Sequence, residues 1–234
     1  MASTDQKGKR RGGFYWIGKT PLVSVTHVLG KIIRKPGLEY WKCQQVYLAV
    51  IKDPSISQQE ALASPYKTSK KAMGRGTTVH SIVEAYKKGT FDIEDKVMDE
   101  YKGYAQAFRK WVEDVDAKII AREKTVMCKK LGFAGTLDML ATIGKSKLPT
   151  LIDVKTGKDI YPEVFLQLSA YEHALLEEGI KVEDRAVLLL HDDGNYKYQI
   201  GPDKFKAFIA CKTLWEGMNE ESLIKIGYLK KETK

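Results

Sequence analysis

Two carboxylates and a lysine carry the first chemical signal in this chain. Asp138 closes the tetrapeptide GTLD, and Asp153 and Lys155 frame the tripeptide DVK fifteen residues later. Both stretches read as strands, Phe133 to Ile143 and Pro149 to Lys155, because their patterning changes to a period of two. Residues i and i+2 of a strand share a face, so Asp153 and Lys155 project together while Val154 turns into the core. Asp138, on the neighbouring strand, can face them across the sheet. Two carboxylates converging with a lysine form a hard oxygen site suited to Mg²⁺ or Mn²⁺. Such a site can polarise a phosphodiester and acidify a bound water. The lysine can orient that water or stabilise charge building on the phosphate. A lone DxK on a strand is most often a solvent-facing ion pair, so the weight lies in the order and spacing of the whole set.

The surrounding pattern supplies the elements that must hold these groups. Lys124 to Lys129 alternates as a further strand, followed by a turn at Leu131-Gly132. Pro162 and Gly179 stand where a helix favours its first residue and its stop, so PEVFLQLSAYEHALLEE reads as an amphipathic helix. RAVLLLH, the turn DDGN and YKYQI form a hairpin, and a last helix covers roughly Asp203 to Asn219. Upstream, Ser24 can cap a short helix ending at Gly30, and a second helix packs from Trp41 through YWKCQQVYLAVI. Residues 53–72, with Pro54 and Pro65, read as loops around a short helix. Thr77 or Thr78 can cap a helix through TTVHSIVEAYKKG that Gly89 ends. A longer helix, Glu94 to Ile120, carries Tyr101, Tyr104, Phe108 and Trp111 at helical spacing, read as core rather than as a base-stacking platform. The order α-β-β-β-α-β-β-α predicts an α/β fold, a mixed sheet flanked by helices. The expected division is a flexible basic N-terminus (1–13), an N-terminal helical lobe (14–75), a core (76–221) and a Lys-rich tail (222–234), frayed from Lys225 to Lys234.

Bulk properties narrow the partners. A net charge of +9 and a pI near 9.2 favour polyanions, since each Lys or Arg near a phosphate releases condensed counterions. Lys67, Lys70, Lys71 and Arg75 cluster in YKTSKKAMGRG, directly before the expected helix start at Thr77, where phosphates also bind well. These four are the candidate DNA-contacting residues. Cys43, Cys128 and Cys211 are odd in number and form no CxxC pair, which points to reduced thiols in an intracellular, cytoplasmic protein. No apolar run reaches the roughly 18 residues that span a bilayer, so no membrane partner is expected. The N-terminus lacks the apolar stretch of a secretory signal; mitochondrial import stays open.

As a set, these motifs resemble the RecB-type branch of the PD-(D/E)xK nucleases, which includes bacteriophage exonucleases and a mitochondrial genome-maintenance exonuclease. The matches are GTTVH with Glu84 one turn later, Glu123 ahead of GFAGTLD, then IDVKTGK and QLSAY, covering about Gly74 to Tyr171. SVTHVL, with the later Trp41, is similar to the opening of several phage members. Leu137 stands where the family name has proline, a departure common in this branch. The resemblance implies a restriction-endonuclease-like core and hydrolysis of DNA, from its ends rather than internally. It implies that Asp138, Asp153, the Val154 carbonyl and His80 bind Mg²⁺ or Mn²⁺ and that Lys155 is catalytic. Gln167 and Tyr171, at i and i+4 on one helix face, would contact a phosphate or the attacking water. Glu84 is expected either to bond a metal-held water or to pair with a nearby lysine, and Glu123 to be a supporting acid behind the metal or a structural one. Iron–sulfur members need four cysteines, so no cluster is expected. DNA is the expected partner, with a recombination or replication protein as a further one. Competing readings are a structure-specific endonuclease with the same site, a non-catalytic DNA-binding module of the same fold, and a sugar or nucleotide hydrolase with a coincidental DVK.

Overall fold

The computed structural model describes residues 9–87, 90–92 and 95–231. Its elements, in chain order, are β1 (Lys9–Arg11), β2 (Phe14–Ile17), β3 (Thr20–Ser24), α1 (Val25–Ile32), α2 (Pro36–Lys52), α3 (Gln58–Ala85), β4 (Tyr86–Lys87) and β5 (Thr90–Phe91). There follow α4 (Asp95–Glu100), α5 (Lys102–Asp114), β6 (Ala117–Cys128), β7 (Phe133–Ile143), β8 (Thr150–Lys155), α6 (Val164–Glu177), β9 (Arg185–Leu190), β10 (Tyr196–Ile200), α7 (Phe205–Met218) and α8 (Glu220–Lys225).

The main sheet runs β1-β2-β3-β7-β8-β9-β10, with β6 also paired to β7. It is mixed: β3–β7 and β8–β9 are parallel, the other pairs antiparallel. Helices cover both faces, as the α/β pattern predicts. On one face α1, α6, α7 and α8 bury Val28, Leu168, Phe208 and Leu223 against Phe133, Leu151 and Val187. On the other, α3 and α5 bury Val79, Phe108 and Trp111 against Ile152, Val154 and Leu188. Odd and even residues of β8 thus feed opposite cores, the period-two pattern made physical. The α5 aromatics are core, as expected.

The pairing of β7 creates a gap. Its beginning pairs with β3 at Phe133 and Ala134, and its later part pairs with β8 from Met139 to Ala141. Residues 135–138, the GTLD motif itself, lie between these two partners. Gly135 is required there: a Cβ would stand 2.1 Å from the Tyr171 ring of α6.

Several local expectations are corrected. The basic stretch does not precede a helix start. Residues 58–85 form one helix, opened by a capping box in which Ser57 and Glu60 exchange hydrogen bonds. Pro65 sits inside it; the Ala61 carbonyl that loses its i+4 donor lies 2.8 Å from the Ser64 hydroxyl. Thr77 and Thr78 cap nothing, their hydroxyls instead donating to Met73 and Gly74 one turn back. The boundary expected at 75/76 therefore falls within α3. The helix expected over 94–120 ends at Asp114, because Asp116 takes a left-handed φ of 47° and the β-prone run after it becomes β6. Glu94, Gly89 and residues 1–8 lie outside the described residues. From residue 9 the expected flexible N-terminus forms β1, and β2 and β3 join the main sheet rather than a helical lobe. Pro36, in the first turn, starts α2 before Trp41. The Lys-rich tail packs at Leu223, which is buried, and the stretch expected to fray from Lys225 is held as far as Tyr228, whose ring meets Trp215 edge-on.

Gly135→Ala should lower the melting temperature, at an overpacking cost of about 1–3 kcal/mol, and the same alanine should cost less when added to a chain in which Tyr171 is already truncated. Thermal unfolding of the single and double variants measures this; an unchanged Gly135→Ala would refute the contact.

Candidate metal centre

The centre lies where β7 and β8 part. Continuing their register past Met139–Ile152 sets Asp138 opposite Asp153 and Leu137 opposite Val154. Val154 instead finds side-chain partners. Its N–H donates to Asp138 Oδ2 at 2.7 Å, and its carbonyl lies 3.1 Å from His80 Nε2 on α3. Buried backbone groups that lose a ladder partner need such replacements. From the opposite face, Gln167 of α6 donates to Asp153 Oδ1 at 2.7 Å, and the Lys155 ammonium lies 2.5 Å from Asp153 Oδ2. Asp138, Asp153, Lys155, His80 and Gln167 are thereby brought together, as are the Val154 backbone groups.

Burial and the nearby Asp153 charge push the Asp138 carboxyl up to about 7, against smaller opposing effects of His80 and Lys155. Packing pushes the Lys155 ammonium down, but the Asp153 and Asp138 charges more than offset it, so its pKa is raised. The His80 pKa is raised chiefly by Glu123, against burial, with a further upward contribution from Asp138. The site thus gathers negative charge that burial penalises. His80, Glu123 and Asp138 offer ligand atoms that all lie within 4.8 Å of one another. An imidazole nitrogen with carboxylate oxygens suits Mn²⁺ or Mg²⁺. The residues fit a divalent cation.

Other expected residues take different places. Tyr171 is 3% exposed, its ring against Gly135; it belongs to the core below the strand. Glu84 lines a small cavity with Arg122, whose charge it favours, together with His80 and Glu123. Lys67, Lys70 and Lys71 are exposed on α3, and Lys71 lies about half a turn around the axis from His80. Arg75 alone of the four reaches the loop after β8, its Nη2 3.5 Å from the Thr156 carbonyl. Its Nε is buried without a hydrogen-bond partner. The sequence reading missed the backbone of Glu123: φ is +45° at a non-glycine residue, a conformation costing on the order of 1–2 kcal/mol. No residue-type signal marks such a position.

No family model matches the chain, and no curated protein matches it. Among solved structures it is similar to an alkaline exonuclease, LHK-Exo, from Laribacter hongkongensis, with TM-score 0.45 and 12% identity over 89% of this chain and 91% of that one. The complex of LHK-Exo with dAMP gives TM-score 0.43 and 15% identity over the same shares. Among the described residues, no helix is long and apolar enough to cross a membrane.

A raised Asp138 pKa means that folding favours the protonated acid. This contribution to stability is present below the unfolded value of 3.8 and is lost as pH rises through about 7. Metal-free Asp138→Asn should therefore gain on the parent from about pH 5 to about pH 8, ending a few degrees higher in melting temperature. Paired melts in EDTA would show this; a pH-independent difference would count against the buried charge.

Proposed function

We propose that this chain is a metal-dependent deoxyribonuclease of the PD-(D/E)xK superfamily, RecB-type branch, hydrolysing phosphodiester bonds from DNA ends. The observation that carries the reading is the convergence of Asp138, Asp153 and Lys155 at one break in the sheet, with His80 and Gln167 closing on it from opposite faces. Asp138, Asp153, His80 and the Val154 carbonyl are the groups that would hold Mg²⁺ or Mn²⁺. The cation, when bound, supplies polarisation of a phosphoryl oxygen and a more acidic water. Lys155 remains a cation beside Asp153 and places positive charge where the phosphate gains negative charge. Gln167 fixes the orientation of the Asp153 carboxylate through its amide hydrogen bond.

The surface supports DNA as the substrate. Residues 34–75 carry eight Lys and Arg against three Asp and Glu, and Tyr40, Tyr47 and Tyr66 are exposed on the same helical pair. Cations interleaved with aromatics suit a phosphate backbone and its bases. End-directed action is supported by a cavity of about 350 Å³ beside Lys155 and Gln167, lined by Leu29, Ile160 and Tyr161. Lys35 and Glu163 also line it, and their 2.9 Å ion pair ties the start of α2 to the start of α6. A recess tied on one side admits a terminus more readily than a continuous strand.

Cleavage of linear DNA should require Mg²⁺ or Mn²⁺ and stop in EDTA, and full activity in EDTA would sink the mechanism. Lys155→Ala should cut at least about 100-fold more slowly, the scale of losing one transition-state donor. Its DNA affinity, measured by anisotropy, should stay near the parental value; cleavage at the parental rate would remove Lys155 from the mechanism. Closed circular DNA should survive conditions that reduce linear DNA to short products. Circles cut as fast as linear DNA would replace the exonuclease reading with the endonuclease one.

A further inference from the structure

Glu123 stands on β6, the strand that borders β7 on the side away from β8. The pairs Arg122–Met139 and Lys124–Leu137 set it opposite Asp138. Its backbone is the left-handed exception within this strand, at φ +45°. The next residue upstream turns away: Arg122 donates to the Tyr86 carbonyl at 2.7 Å. Glu123 Oε1 instead lies 3.7 Å from His80 Nδ1, and Asp138 Oδ1 lies 3.8 Å from the same nitrogen. These separations exceed a hydrogen bond and leave three donor atoms around a common space. Because His80 Nε2 is engaged by the Val154 carbonyl, Nδ1 is the nitrogen directed at the two acids.

We propose that Glu123 is a direct ligand of the cation, sharing it with His80 Nδ1 and Asp138, rather than a supporting acid behind them. The inference rests on the metal-dependent reading above and adds a carboxylate that the motif pattern does not assign to the metal. Two observations favour ligation over a structural role. The Glu123 side chain is 41% exposed, so core packing does not hold it in place. The strained backbone brings no tight hydrogen bond to His80 in return, whereas a cation between the three donors would use both the position and the charge. On this account the Val154 carbonyl, counted above among the groups that would hold the cation, orients the imidazole instead, as the outer partner of a metal-bound histidine does.

The test needs no DNA. Mn²⁺ is titrated into the full chain and its free concentration is followed by electron paramagnetic resonance, with calorimetry alongside. Glu123→Gln keeps a polar group beside His80 but removes the negative charge, and should weaken Mn²⁺ binding at least about tenfold. Glu123→Gly should lose the same affinity while melting about 2–4 °C higher in EDTA, because glycine adopts positive φ without strain. A gain in stability with lost affinity supports ligation. Parental Mn²⁺ affinity in either folded variant overturns it and leaves the nuclease reading standing. A parent chain that binds no Mn²⁺ overturns both together.

Discussion

Hydrogen bonding between β7 and β8 ends at Met139 and Ile152, and the backbone groups of Val154 that lie just beyond must be satisfied by something other than a strand. That requirement organises the site. The N–H takes the Asp138 carboxylate and the carbonyl takes His80, so two candidate ligands are drawn to one residue by ordinary backbone accounting. The same divergence opens the sheet to both faces. A helix on one side delivers His80 and a helix on the other delivers Gln167, which a continuous ladder would have kept apart.

The electrostatics follow from that geometry. Burial and the nearby Asp153 charge both disfavour the ionised form of Asp138. Lys155 and His80 reduce the repulsion without removing it, which is why the Asp138 carboxyl sits so far above an ordinary carboxylate. A site that strains to hold negative charge favours a dication over a proton, and stability given up in the empty protein becomes affinity in the loaded one. Gly135 belongs to the same design. It lets the Tyr171 ring lie against β7, setting the spacing between that strand and α6 and so the reach of Gln167 to Asp153. The two motifs are therefore tied through packing as well as through chemistry.

The elements around the site were largely legible because the signals were local. Alternation predicted β7 to its last residue, and Gly179 ends α6 in a left-handed conformation as a helix stop should. The long helix α3 was not legible as one piece. Pro65 reads as a breaker unless the neighbouring Ser64 is seen to cover the freed carbonyl, and Thr77 and Thr78 read as caps unless their hydroxyls are seen to bond backward. The capping box at Ser57 and Glu60 was in plain view in SQQE and marks the true start.

Residue type and spacing alone determined that Asp153 and Lys155 share a face, that Asp138 is on an adjacent strand, and that a helix follows with Gln167 on it. Those are consequences of strand and helix periods, which act over a few residues. Tertiary structure decided the rest: that β7 is shared between β3 and β8 with the GTLD segment in the gap, that Tyr171 is core, that Arg75 alone of the basic cluster approaches the site, and that Glu123 is bent into a conformation glycine would prefer. Each depends on contacts between segments far apart in the chain, such as Val154 with His80 or Gly135 with Tyr171, and no local pattern encodes which long-range partner takes a backbone group that its own strand leaves unpaired.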